Sequence, residues 1–171
     1  MVHGTIAYNF KHIVIFDTML VAVGFVLRAV GGALAIQVPS SEWFILCTFF
    51  AALFLALSKR RAEMISKDGG SEGHRSVIGE YTESGLATYT TTAIAATVIT
   101  YSLYAIDSAP LFPLLPLTVP FVLFAVFRYH HLVETAGFGE RPEEVFLHDR
   151  TFQVCVLAFL ALSMTAIYLE I

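Results

Sequence analysis

The chain has 171 residues, 57% of them hydrophobic, and a formal net charge of −4. Its mean hydropathy is +0.73, and the apolar residues fall in long blocks instead of alternating or forming a single stripe. That pattern excludes a water-soluble globular domain, while the net charge says nothing of partners because charge is sorted by loop.

Five membrane crossings are predicted, all helical, in a single membrane domain over 1–171. The first covers 13–38 and stops at Pro39, which is ample when a crossing takes about 20 apolar residues. It is too long and too charged for a cleaved signal peptide. The second covers 43–57, with Ser40 and Ser41 as candidate N-caps, and Lys59, Arg60 and Arg61 carry its helix on into headgroups and water. A polar segment, 58–83, follows, with Asp68-Gly69-Gly70 as the helix stop. The third crossing, 86–106, is rich in threonine, whose hydroxyls can bond back to their own helix carbonyls. Asp107-Ser108-Ala109-Pro110 turns the chain, and Pro110, Pro113, Pro116 and Pro120 make the start of the fourth crossing irregular. Its helix is predicted over 117–133, with Pro120 in the first turn. The segment 134–150 is polar, with a short amphipathic piece after Pro142, and Asp149 can cap the last crossing, 151–171.

Loop charge gives an orientation. Lys11, Lys59, Arg60, Arg61, Lys67, Arg75, Arg141 and Arg150 gather on one side, with Arg128 at its edge. The connections 39–42 and 107–110 hold no lysine or arginine. By the positive-inside rule the amino terminus and the charged loops are cytoplasmic.

Within the first crossing Asp17, Gly24, Arg28, Gly31 and Ala35 share one helix face. Arg28 lies about 16 Å beyond Asp17. A charged, glycine-rich face looks at protein or a wet cavity, not at acyl chains. The structural alternative makes Asp17 a near-interface cap and leaves Arg28 snorkelling or paired in the bundle.

At the end of the second crossing Lys59, Arg60 and Glu63 are three and four residues apart and share a face. Two cations beside a carboxylate at a membrane edge suit a phosphorylated headgroup, with the acid open to a divalent ion. A basic collar with a helical ion pair is the competing reading. A second cluster is Arg128-Tyr129-His130-His131 with Glu134, joined across the loop by Asp149-Arg150. Arg128 points to the same opening as Lys59. The six histidines show no zinc spacing and read as interfacial polar residues. Cys47 and Cys155 stand alone in apolar runs and read as small buried hydrophobes. No Ser-His-Asp order, phosphate loop or nucleic-acid motif is present. The residues alone support an enzyme acting on a lipid phosphate, or an anion transporter.

Several runs carry a family resemblance. They are Tyr8-Asn9-Phe10-Lys11-His12 with Asp17 and Gly24 to Ala33, then Ser58 to Glu63, then His74 to Ile78 with Tyr81-Thr82. Further on come Arg128-Tyr129, Leu132-Val133-Glu134, Pro142 to Val145 and Asp149-Arg150. Together, in this order, they resemble the carboxyl-terminal half of UbiA-superfamily enzymes, in the branch of the decaprenyl-phosphate phosphoribosyltransferases. The resemblance implies half of a bundle of about nine crossings around a cavity open to the cytoplasm, in a bacterial inner membrane. It implies phosphoribosyl diphosphate as donor, a polyprenyl phosphate as acceptor, and Mg²⁺. Lys59 and Arg60 would contact phosphate, and Glu63 metal or ribose. Lys11, Arg128 and Arg150 would be further phosphate contacts, Asp17 and Arg28 part of the cavity wall, and Tyr129 and Asp149 substrate-side residues. The family's N-D-x-x-D-x-x-x-D motif, its main magnesium ligands, has no counterpart in this sequence. The enzymatic expectation therefore depends on a separate amino-terminal half. The rivals are prenyl transfer from a diphosphate to an aromatic acceptor, and a half-size anion channel or transporter that homodimerises.

Overall fold

The computed structural model describes residues 15–67, 82–136, 145 and 147–168. They form five long α-helices and one short 3₁₀ turn: α1 (Phe16–Ala35), α2 (Glu42–Lys67), α3 (Glu83–Asp107), the turn Leu115–Thr118, α4 (Val119–Ala136) and α5 (Arg150–Tyr168). Each predicted crossing is present as a helix. Four of them, α1, α2, α4 with its preceding turn, and α5, are long and apolar enough to cross a membrane. The threonine-rich α3 falls outside that group, yet it is the helix most enclosed by the others.

The helix ends follow from local chemistry. At the start of α2 the Ser41 hydroxyl accepts the Phe44 amide at 3.1 Å, and at the start of α5 the Asp149 carboxylate accepts the Phe152 amide at 2.6 Å. Both are side-chain caps of otherwise unpaired amides. The far end of α1 closes two residues before Pro39. Val38 donates to the Ala33 carbonyl and Gln37 to that of Leu34, with Gln37 in the left-handed region at φ 57°. That double bond is a Schellman closure, built on glutamine where glycine is usual.

α3 is the axis of the packing. It lies along α2, touches α4 and the 3₁₀ turn, and buries Leu86, Thr90, Ala93, Ile94, Thr97, Thr100, Tyr101 and Ala105 at helical spacing. Its buried threonines do not leave hydroxyls stranded. Thr90, Thr97 and Thr100 donate to the carbonyls of Leu86, Ala93 and Ala96 at 2.7–2.8 Å. The exposed Thr88, Thr91 and Thr92 do the same to the carbonyls four residues back. Each of these threonines is thereby apolar in effect, and the run is structural.

Two core clusters stack along the helices. One centres on Phe54, Leu57, Leu86, Tyr129, Val133, Val145 and Phe152. The other, at the opposite end, holds Tyr101, Ala105 and Leu115, flanked by Cys47, Phe112 and Phe159. Cys47 and Cys155 are free thiols, half-buried and buried respectively.

α1 is the outlier. It packs against α2, and only Thr18 and Ala22 are fully buried along it. Its contact seam continues through half-buried Val26, Ala29 and Ala33. Small residues let two backbones approach closely, which is what holds helices together where lipid removes the hydrophobic drive.

Candidate functional site

Helix direction brings the first turn of α1, the last turns of α2 and α4, and the start of α5 to one end of the bundle. Most of the charge gathers there. Arg60 of α2 reaches across to α1, with Nη2 at 2.8 Å and Nε at 3.0 Å from one Asp17 carboxylate oxygen. Its third nitrogen donates to Glu63 on its own helix at 2.9 Å. Arg61 sits about 100° further round α2 and turns the other way. It pairs side-on with Glu134 of α4, through Nη2 at 2.7 Å and through Nε. Arg128 of α4 holds Asp149 in a fork, at 2.6 Å through Nη2 and 3.3 Å through Nε. The same carboxylate caps α5, so one acid joins two helices. Hydrogen bonding from Arg128, reinforced by the Phe152 amide, holds Asp149 below the usual carboxylate range.

These contacts redistribute the roles expected from sequence. Lys59, Arg60 and Glu63 do stand together, but Glu63 is bonded to Arg60 rather than Lys59. Lys59 is exposed and has no ion-pair partner among the described residues, and the same holds for Arg150. At this end of the bundle, among the described side chains, those two cations are the ones not already answered by a carboxylate. Tyr129 is buried in the core, its ring edge-on to Phe54 at 5.5 Å. Asp17 belongs to the cluster through Arg60. Arg28 does not: it is exposed on α1, and its guanidinium lies 5.6 Å from the Phe25 ring centre. The charged, glycine-rich face of α1 is divided: Asp17 at its near end meets Arg60 of α2, while Gly24, Arg28 and Gly31 further along are exposed. An added methyl at Gly24, Gly31 or Gly32 would meet nothing within 4 Å. Lys11 lies outside the described residues, as do Asp68-Gly69-Gly70, His74-Arg75 and the segment after Pro142.

Two features were not singled out by sequence. One is the Arg61–Glu134 pair, whose only trace was the presence of both residues among the charges of the opening. The other is an apolar cleft directly beneath the charged end. It has a volume of about 290 Å³ and is lined by Ala51, Phe54, Leu55, Thr97, Ala125, Val126, Tyr129 and Phe152. Ala125 and Val126 also line a second cleft of about 240 Å³ between α4 and α5, with Phe121, Val122, Cys155, Val156 and Phe159. Tyr129 follows Arg128 in sequence and Phe152 donates to Asp149, so the slot opens next to the ion pairs. Such an arrangement accepts a molecule with an anionic head and an apolar tail.

The Mg²⁺ expected from resemblance finds no ready site. Among the described residues no three His, Cys, Asp or Glu side chains converge on a common point. Glu63, the carboxylate assigned to the metal, is already bonded to Arg60. These residues do not by themselves fit a magnesium centre.

Fold and site together define a polytopic helical membrane protein whose polar end is laced by ion pairs between helices. No family model matches the chain. It is, however, similar over nearly its whole length to the decaprenyl-phosphate phosphoribosyltransferase of Corynebacterium glutamicum, at 35% identity over 167 residues, which is 95% of this chain and 50% of that protein. The enzymes of the same name from Mycolicibacterium smegmatis and Mycobacterium tuberculosis are 32% and 30% identical, over 94% and 90% of the chain and 54% and 51% of their own lengths. The chain is homologous to the decaprenyl-phosphate phosphoribosyltransferases of the UbiA superfamily, and it spans about half the length of the curated relatives it matches.

Proposed function

We propose that this chain forms part of an integral-membrane transferase that moves 5-phosphoribose from phosphoribosyl diphosphate to a polyprenyl phosphate. The observation that carries the reading is similarity along 90–95% of the chain to enzymes named for that transfer. The cationic rim over an apolar slot supports it. The lipid tail occupies the slot lined by Phe54, Ala125 and Phe152, which places its phosphate among the cations. A phosphate oxygen attacks the anomeric carbon, the carbon–oxygen bond to diphosphate breaks, and diphosphate leaves with the electron pair.

Lys59 and Arg150, without carboxylate partners, are the first cations a phosphate meets. Arg60 and Arg128 join by exchanging a carboxylate oxygen for a phosphate oxygen, which keeps charge-assisted bonds of the same kind. Neutralising the diphosphate lowers the barrier to its departure. Lys11 is a further phosphate contact, Glu63 orients Arg60 or reaches ribose, and Tyr129 and Asp149 set the wall next to the head. The resemblance implies Mg²⁺ with its main ligands on a partner carrying the acidic motif, so this chain contributes charge neutralisation by its cations. The cation-rich end faces the cytoplasm, in a bacterial inner membrane, as the sorting of Lys and Arg supports.

The test is transfer itself. The chain is reconstituted in lipid nanodiscs, alone and co-expressed with the unmatched half of the C. glutamicum relative, and offered labelled phosphoribosyl diphosphate and polyprenyl phosphate. Labelled lipid that disappears in Lys59→Ala, with membrane insertion intact, is the expected result. Label reaching lipid in neither preparation, or equally in Lys59→Ala, removes the assignment.

A further inference from the structure

Arg28 presents a problem that the charged end does not solve. It lies about 16 Å along α1 from Asp17, in a helix long and apolar enough to span the membrane, with 11% of that span buried. Its guanidinium has the Phe25 ring beside it and no hydrogen-bond or ion-pair partner among the described residues. Around the helix it stands roughly 100° from the Thr18–Ala22 seam that meets α2, and Gly24 and Gly31 stand further round still. Gly24 and Gly31 flank it with open space. A cation at that depth facing acyl chains is strongly disfavoured.

We propose that the face formed by Gly24, Arg28 and Gly31 is a helix-docking surface. Its occupant is a transmembrane helix, from a segment like the half of the relatives that this chain does not match, with a carboxylate at the depth of Arg28. Charge complementarity selects it. The glycines let a second backbone come within contact range, and the carboxylate answers the guanidinium in a medium where neither is hydrated. A second copy of this chain does not meet the requirement. A two-fold axis along the membrane normal keeps depth, so Arg28 would face Arg28, and the described acids lie at the two ends of the bundle, Asp17, Glu63, Glu83, Glu134 and Asp149 at one and Glu42 and Asp107 at the other. A lipid phosphate sits at the membrane surface, too far out. The relatives carry about as much sequence again as the matched part, which is the source of the helix. The proposal rests on the transferase reading only for that source.

The experiment reads association, not transfer. Labelled chain in phosphatidylcholine vesicles is mixed with a leucine-rich transmembrane peptide bearing one central aspartate, or with the same peptide bearing leucine there, and energy transfer is measured. The aspartate peptide should associate roughly tenfold more tightly, and the preference should vanish in Arg28→Leu and, by blocking the face, in Gly31→Ile. In parallel, Gly31→Cys in a background of Cys47→Ala and Cys155→Ala should cross-link to the unmatched half of the C. glutamicum relative when the two are co-expressed. Equal association of both peptides, a preference that survives Arg28→Leu, or Gly31→Cys cross-linking only to itself overturns the proposal. Docking without transfer would leave it standing and count against the catalytic reading alone.

Discussion

Asp17 and Arg60 stand 43 residues apart in sequence and meet at 2.8 Å, tying the first turn of α1 to the far end of α2. α1 has Thr18 and Ala22 fully buried along its seam with α2, and this pair adds a second fastening at its first turn. It is partly exposed, so its worth is about 1 kcal/mol. Asp17→Asn is therefore expected to raise hydrogen exchange in the first turns of α1 about fivefold, leaving α2 and α3 unchanged. Mass spectrometry of the exchanged protein in detergent checks it. Unaltered exchange would mean that the Thr18–Ala22 seam alone sets the position of α1.

Asp149 is held below the ordinary carboxylate range chiefly by its hydrogen bond to Arg128, with the Phe152 amide adding to it. A lowered acid stabilises the fold while it is ionised, so its contribution is present at neutral pH. It is lost as pH falls below about 4 and through the depressed value. Thermal unfolding followed across acidic pH should show that loss, and Asp149→Asn should flatten it. Asparagine still caps a helix, so at neutral pH Asp149→Ala should cost about 1 kcal/mol more than Asp149→Asn.

Those two residues also show what sequence can and cannot tell. Ser41 and Asp149 were legible as caps because capping is a local matter of a short acceptor three residues before an amide. The threonines of α3 were legible for the same reason, each bonding four residues back. Gln37 was not, since nothing in glutamine signals a left-handed residue and the nearby Pro39 drew the boundary instead. At the charged end the composition of the cluster was readable and its pairing was not. Arg60 and Arg61 are neighbours about 100° apart on one helix, and only the positions of α1 and α4 decide that one takes Asp17 and the other Glu134. Likewise Asp17 and Arg28 share a face by helix geometry, but the seam of small residues, Thr18, Ala22 and Ala29, wins the contact with α2 because it admits closer backbones. The apolar cleft was not legible because it draws three residues each from α2 and α4 and one each from α3 and α5, and only the packing of those four helices brings them together.

Tyr101 and Thr118 bring α3 to the turn before α4. The Thr118 hydroxyl donates to the Leu115 carbonyl, so the Tyr101 hydroxyl is the donor in their 2.6 Å contact. Thr118 is fully buried, and Thr118→Val keeps its shape while leaving a buried phenol unpaired. That is expected to cost about 1–2 kcal/mol. Removing the second partner as well, in Tyr101→Phe with Thr118→Val, should recover most of it. Unfolding in mixed micelles with rising dodecyl sulfate gives both values.

Arg61 and Glu134 offer the sharpest separation of structure from catalysis. Their side chains are 13% and 29% exposed, and they join α2 to α4 beside the core residue Val133. Removing one partner of a largely enclosed pair leaves a charge with nothing to answer it, a loss on the order of 3 kcal/mol. Glu134→Gln and Arg61→Met should each destabilise the bundle by about that amount. The double variant Arg61→Met with Glu134→Leu should return close to the starting stability, because packed apolar side chains replace such a pair with little net change. If this pair only fastens helices, the double variant also retains whatever transfer the unaltered chain supports. Recovery of stability without recovery of transfer would instead place Arg61 among the groups that meet the phosphate.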